Sequence, residues 1–317
     1  MASIPSAACN RRDAPELTAR SSDAVQRSTA GPHRIKTVFV VMMENSNWDD
    51  QHDGQQFIHG NPDCPFINGL LPKASYCTSY FDNPEAIHPS EPNYIWLEAA
   101  SALGIRGDAD PSPHRILTTE EHLTGFMMKT GISWKAYAEG IDGLSCPLSS
   151  RREYAPKHVP VLFFSDVVGN PPDPRSRVCI EHVRPYGELG TDLESDRVAA
   201  YNFITPNLCD DMHTPCTGNP AAQGDAWLAR ELPILLRSKA YREGGAIFLT
   251  WDESVGGEFP IGMIVLSPFA KGGGYTSTKK YYHSSMVATV ESIFGLSPLI
   301  RDAAGRPDLA DLFAAFP

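Results

Sequence analysis

Two stretches of this sequence end alike: VFVVMM runs into Glu44-Asn45, and AIFLTW runs into Asp252-Glu253. Each is an apolar run that stops on two oxygen-bearing side chains. A continuous apolar run of this length reads as a strand buried on both faces, and open α/β sheets bind ligands at the carboxyl ends of their strands. Four such side chains, three of them formally anionic, would repel one another if brought together bare. A divalent cation removes that repulsion, because carboxylate and amide oxygens are hard ligands. Either pair alone reads equally as a solvated loop or a helix N-cap. Their parallel placement favours a metal clamp.

A candidate nucleophile, Ser90, lies in HPSEPNYI, just ahead of a segment with helical composition. Free N–H groups and the helix dipole at such a start favour an anion, so an alkoxide or a phosphate is stabilised there. The plainer role for a serine at this position is an N-cap. Among ten histidines, His88, His158, His213 and His283 stand in motif-like contexts, and His213 follows Asp210 and Asp211 in CDDMH. Taken singly, each of these reads as readily as a surface or core histidine.

Strands are expected at residues 36–43, 75–80, 132–138, 201–205, 245–250 and 261–267. Helices are expected at 64–71, 93–102, 120–129, 224–238 and 282–294. Strands alternating with helices imply an α/β fold, a mainly parallel central sheet with helices on both faces. Residues 1–34 read as a flexible leader, and 35–317 as one catalytic domain with an irregular, proline-rich cap around 140–197. The formal charge of −11 disfavours a nucleic-acid partner, whose phosphates need a basic face. No segment has the length of a transmembrane helix.

Seven cysteines fall into three sequential pairs, Cys64/Cys77, Cys146/Cys179 and Cys209/Cys216, with Cys9 left over in the leader. If these form disulfides the protein is secreted or periplasmic; buried thiols would suit the cytoplasm.

The pieces VVMMEN, HPSEPNYI, ISWKAYAE, KHVP, FITPNLCDDMHTPC, FLTWDES and YYHSSMVATVESIFGL occur in this order from residue 36 to 296. Together they resemble the bacterial and fungal phosphoesterase family of acid phosphatases and non-haemolytic phospholipases C, within the alkaline-phosphatase-like superfamily. The resemblance implies metal binding by Glu44, Asn45, Asp252 and Glu253, with Ser90 as nucleophile. It implies that His283 and the Asp211/His213 pair complete the metal or phosphate site, with His88 as a further phosphate or metal contact. His158 would touch phosphate or protonate the leaving group. The metal is a divalent ion (Zn, Ca, Mg, Mn or Fe), one main ion rather than two, because the spacing of Asp211 and His213 departs from the two-zinc pattern. The substrate that the resemblance implies is a phosphorylated small molecule or lipid headgroup. A phosphomonoesterase working through a phosphoserine is the first expectation, a phosphodiesterase or phospholipase C the second, and a non-catalytic binding protein retaining the fold the third. The turn 46–49, Ser-Asn-Trp-Asp, departs from the family pattern and bears on substrate preference.

Overall fold

A computed structural model describes residues 1, 25–27, 33–51 and 56–317. The strands are β1 (Gln26–Arg27), β2 (Thr37–Met43), β3 (Ser75–Cys77), β4 (Trp134–Ala138), β5 (Val183–Pro185), β6 (Tyr201–Thr205), β7 (Gly245–Trp251), β8 (Met263–Leu266), β9 (Tyr275–Ser277) and β10 (Leu296–Ser297). The helices are α1 (Pro65–Leu70), α2 (Ser90–Ala99), α3 (Leu123–Thr130), α4 (Ser165–Val168), α5 (Arg177–His182), α6 (Glu188–Glu194), α7 (Pro220–Arg237), α8 (Lys239–Arg242) and α9 (His283–Phe294). Eight strands form the central sheet in the order β5-β4-β6-β2-β7-β8-β3-β9. Every pairing is parallel except those of β8 with β7 and β3.

The two apolar runs become neighbours at the middle of that sheet. Every residue of β2 and β7 is buried, as continuous apolar strands require. Their register sets Met43 opposite Trp251, so Glu44 and Asp252 leave the sheet side by side. On the other flank of β2, Val41 pairs with Ile204 of β6. The chain after β6 returns to bond Glu44 N–H to the Asp211 carbonyl at 2.7 Å.

The altered turn is a core plug. Trp48 is fully buried, and a Cβ on Gly262 would lie 1.9 Å from its ring. Glycine is therefore required at 262, where φ is +78°. Asn47 grips the loop after Asp252 twice, donating from Nδ2 to the Val255 carbonyl at 3.1 Å and accepting from Val255 N–H at 2.9 Å. The turn thus braces the two strand-end loops against each other.

Two of the three expected disulfides form, Cys146–Cys179 and Cys209–Cys216. The third does not. Cys64 and Cys77 are buried free thiols; the first points at the Ala221 carbonyl of α7 and the second at the Lys279 carbonyl. Cys64 caps the start of α1 and Cys77 ends β3, and each thiol is turned to a different neighbour. Burial pushes both thiols up to about 12. Cys9 and most of the expected leader lie outside the described residues, but Gln26 and Arg27 pair antiparallel with Ser297 and Leu296. The expected cap holds short helices and one edge strand, β5, that joins the central sheet.

Candidate active site

Asn45 is the hinge of the first strand end. Its φ of 40° is left-handed, which asparagine tolerates better than most residues. Its backbone N–H donates to Asp252 Oδ1 at 2.9 Å, and its side-chain Nδ2 donates to Glu44 Oε2 at 3.1 Å. One residue thereby ties the two strand ends into a single unit.

Ser90 is the first residue of α2, with Pro89 in the cap position and no side-chain cap. The N-cap role is therefore excluded. The hydroxyl instead donates to Glu44 Oε2 at 3.1 Å. All ten residues of α2 are buried, so the helix is fixed against the core and cannot drift relative to the clamp. One turn on, Tyr94 donates its hydroxyl to Glu44 Oε1 at 2.6 Å and stacks on His158 at 4.8 Å. An i, i+4 pair on one helix face thus addresses both oxygens of one carboxylate.

His158 is fully enclosed. Its Nε2 lies 3.2 Å from Glu44 Oε1 and its Nδ1 lies 3.4 Å from Asp211 Oδ2. Burial lowers its pKa well below the usual histidine range, so the ring is a neutral donor. Glu44, Asp211 and Asp252 are raised well above the carboxylate range, first by burial and then by neighbouring acids: Asp252 and Asp211 for Glu44, Asp252 for Asp211, and Glu253 for Asp252. In Asp252 this is opposed by the hydrogen bond from the Asn45 N–H.

Three buried atoms here, His158 Nε2, Asp211 Oδ2 and Asp252 Oδ2, have no hydrogen-bond partner. Each such orphan costs about 1–3 kcal/mol. Ligand atoms of Glu44, His158 and Asp211 lie within 4.8 Å of one another. Orphaned donors, mutually repelling carboxylates and a neutral imidazole are the donor set that a divalent cation satisfies. The residues present fit such an ion.

The remaining candidates are distributed around this centre. Glu253 turns to the side: its Oε2 accepts from His88 Nδ1 at 2.6 Å and from Asn93 Nδ2 at 3.1 Å. His88 therefore holds Glu253 rather than the clamp. His213 is exposed, with its ring 6.2 Å from that of His158 and its Nδ1 against Thr214 Oγ1 at 3.0 Å. The Cys209–Cys216 disulfide and Gln223, which donates to the carbonyls of Cys209 and Thr214, close the loop that carries it. That loop packs tightly on α7, where a Cβ on Gly224 would come within 2.3 Å of Met212.

His283 is fully buried, and both its ring nitrogens are engaged. Nε2 donates to the Asp252 carbonyl at 2.8 Å, and Nδ1 accepts from the Tyr80 hydroxyl at 3.1 Å. Burial lowers its pKa to about 4. In this arrangement it props the Asp252 strand end from behind.

Three residues of the site carried no assignment in the sequence reading: Tyr94, Asn93 and Lys157. Their signals were present, since Tyr94 stands four residues after Ser90 and Lys157 adjoins His158. Lys157 Nζ is paired with Asp108 Oδ2. Its positive charge acts on Glu44, Asp211 and His158.

The model of the Phosphoesterase family matches residues 58–297. Glu44 and Asn45 lie ahead of that span, so their place in the centre rests on geometry. A phosphatidylinositol-3-phosphatase from Mycobacterium tuberculosis is 29% identical over 277 residues, covering 87% of this chain and 82% of that protein. An acid phosphatase from Aspergillus niger is 28% identical over 240 residues, covering 72% of this chain and 53% of that protein; the chain thus spans about half of this fungal relative. Among solved structures, a protein in the alkaline phosphatase superfamily from Vibrio parahaemolyticus superposes with a TM-score of 0.55 at 10% identity, covering 91% of this chain and 74% of that one. A phosphonate monoester hydrolase of Agrobacterium radiobacter gives 0.53 at 12% identity, covering 89% and 78%. These likenesses concern the fold.

Proposed function

We propose, from the premise that this chain belongs to the Phosphoesterase family, that it is a phosphomonoesterase acting through a phosphoserine on Ser90. That it hydrolyses phosphoric esters follows from the family and from relatives that are phosphatases. The observation that carries the finer reading is the Ser90 hydroxyl, the first residue of a buried helix, bonded at 3.1 Å to Glu44 among three acids and a neutral imidazole.

In this reading Ser90 Oγ attacks phosphorus in line, the bond to the leaving oxygen breaks, and water later hydrolyses the phosphoserine to release inorganic phosphate. The serine proton already points at Glu44 Oε2. Glu44, Asn45, His158, Asp211 and Asp252 would hold a divalent cation, which when bound supplies Lewis-acid charge for the non-bridging oxygens. The start of α2 adds a helix dipole at the same place, although Pro89 and Pro92 have no N–H and Glu91 N–H is given to Asp108 Oδ1 at 2.9 Å. Lys157 carries the positive charge suited to a dianionic monoester. We assign protonation of the leaving oxygen to His213, an exposed imidazole whose ring lies 6.2 Å from that of His158. His283 acts as a positioning residue for Asp252.

The relative named phosphatidylinositol-3-phosphatase supports a monoester borne on a lipid headgroup as one substrate class. No helix among the described residues is long and apolar enough to cross a membrane, and the two disulfides support an oxidising, secreted or periplasmic setting. The discriminating experiment compares mono- and bis-nitrophenyl phosphate with and without chelator. Faster, chelator-sensitive turnover of the monoester is expected. Preference for the diester would move the assignment to the phospholipase C type, and no activity on either with metal bound would leave a binding protein.

A further inference from the structure

A second group of metal-type donors lies outside the clamp, on the approach to α2. Asp82, His88 and Glu258 bring ligand atoms within 4.8 Å of one another. His88 Nε2 is 3.0 Å from Glu258 Oε1 and 4.0 Å from Asp82 Oδ2. Asp82 is 1% exposed, and its Oδ2 has no hydrogen-bond partner. The other carboxylate oxygen accepts from Asn83 N–H at 2.7 Å, so the side chain is held with its unpaired oxygen turned toward the imidazole.

The outer surroundings of His88 are those of a metal-ligating histidine. Its far nitrogen, Nδ1, bonds Glu253 Oε2 at 2.6 Å. A carboxylate there fixes the ring tautomer and orientation and raises the basicity of the nitrogen facing the ligand. Glu253 is steadied in turn by Asn93 Nδ2, and Asn93 Oδ1 accepts from Asn83 Nδ2 at 2.6 Å. Asn83 also holds the loop into α2, donating to the Ile87 carbonyl and accepting from Glu85 and Ile87 N–H. The cage is therefore built before any ligand arrives.

Spacing gives a quantitative check. Donors bonded at about 2.1 Å to a tetrahedral zinc-type ion stand about 3.4 Å apart. The observed separations of 3.0 and 4.0 Å from His88 Nε2 bracket that value. A single N–H on Nε2 reaches Glu258 and leaves the buried Asp82 oxygen unsatisfied, whereas one cation serves both.

We propose that Asp82, His88 and Glu258 form a second, independent site for a divalent transition ion of the zinc type. It rests on these residues alone and stands whether or not Ser90 forms a phosphoenzyme.

The test is Zn²⁺ stoichiometry on the full chain, stripped with chelator and equilibrated with Zn²⁺ alone, by calorimetry and elemental analysis. Wild type is expected to bind one more Zn²⁺ per chain than Glu258→Gln, or to bind that ion at least tenfold more tightly. Glu258 is exposed, so its variant should fold; Asp82→Asn provides a second, buried disruption. Asp252→Ala, which disables the clamp, is expected to keep the Glu258-dependent ion. Equal stoichiometry and affinity in wild type and Glu258→Gln would overturn the site in favour of a hydrogen-bonded imidazolium. Loss of the Glu258-dependent ion in a folded Asp252→Ala chain would overturn its independence.

Discussion

Tyr94→Phe isolates one hydrogen bond at the centre. The phenol donates to Glu44 Oε1 at 2.6 Å and its ring stacks on His158 at 4.8 Å. Phenylalanine keeps the stack and the volume but removes the donor. A hydrogen bond to a charged group contributes about 1.5–3 kcal/mol, and about 1.4 kcal/mol is a factor of ten, so the metal affinity of Glu44 should fall roughly 10- to 100-fold, the range typical of outer-sphere partners. The assay is turnover of a nitrophenyl monoester against titrated metal, beside a thermal melt of the chelated protein. The expected variant needs more metal to reach half-maximal rate, recovers most of its kcat at saturation, and stays folded, the chelated protein losing no more than the stability of one buried hydrogen bond, about 1–3 kcal/mol. An unchanged metal requirement would refute the role given to Tyr94. Loss of kcat that no metal concentration rescues would show that the phenol acts on substrate instead.

Three further outcomes follow from the same contacts. Lys157→Met removes a positive charge that acts on Glu44, Asp211 and His158; steady-state kinetics should show KM for a dianionic monoester rising roughly tenfold, with a smaller change for a diester. Glu291 is buried with one oxygen unpartnered, and burial pushes its carboxyl from 4.5 to about 8. Below pH 4.5 both states are protonated; between 4.5 and 8 the unfolded chain loses its proton while the folded one keeps it, so this group's contribution to stability declines across that window. Glu291→Gln, which can still accept from Ile300 N–H, should flatten that decline and gain a few kcal/mol by pH 8, read as urea midpoints at pH 5 and 8. Removing Cys146–Cys179, with its separation of 33 residues, should cost about 4 kcal/mol, and removing Cys209–Cys216 about 2.5 kcal/mol by chain entropy. Only the second should also depress activity, because it frees the Asp211–His213 loop.

Much of the scaffold was legible because its periodicities are strong. The runs that became β2, β6 and β7 are buried throughout, those of β2 and β7 almost wholly apolar, and α9 and α7 carry long buried faces. The short edge strands β5 and β9 were not, since VRP and YTS are three residues each and take their strand character from neighbours. Cysteine spacing misled at Cys64 and Cys77, where tertiary packing decides which thiols meet. Histidines showed the limit most clearly. His158, His213, His88 and His283 all stood in suggestive contexts, yet one lies between two carboxylates, one at the surface, one on Glu253 and one behind Asp252. Residue type and spacing nominate a ligand; only the packing of the other ring nitrogen assigns its work. The unusual turn 46–49 is explained by Trp48 filling the space over Gly262, which a linear pattern cannot reveal.

The central claim is that Ser90 carries the phosphoryl group. Rapid acid quench of the enzyme turning over a monoester, followed by peptide mass spectrometry, tests it directly. The account predicts a single phosphate on the peptide containing Ser90, absent in Ser90→Ala together with turnover. Full turnover by Ser90→Ala, or phosphate trapped on another residue such as His158 or His213, would contradict it.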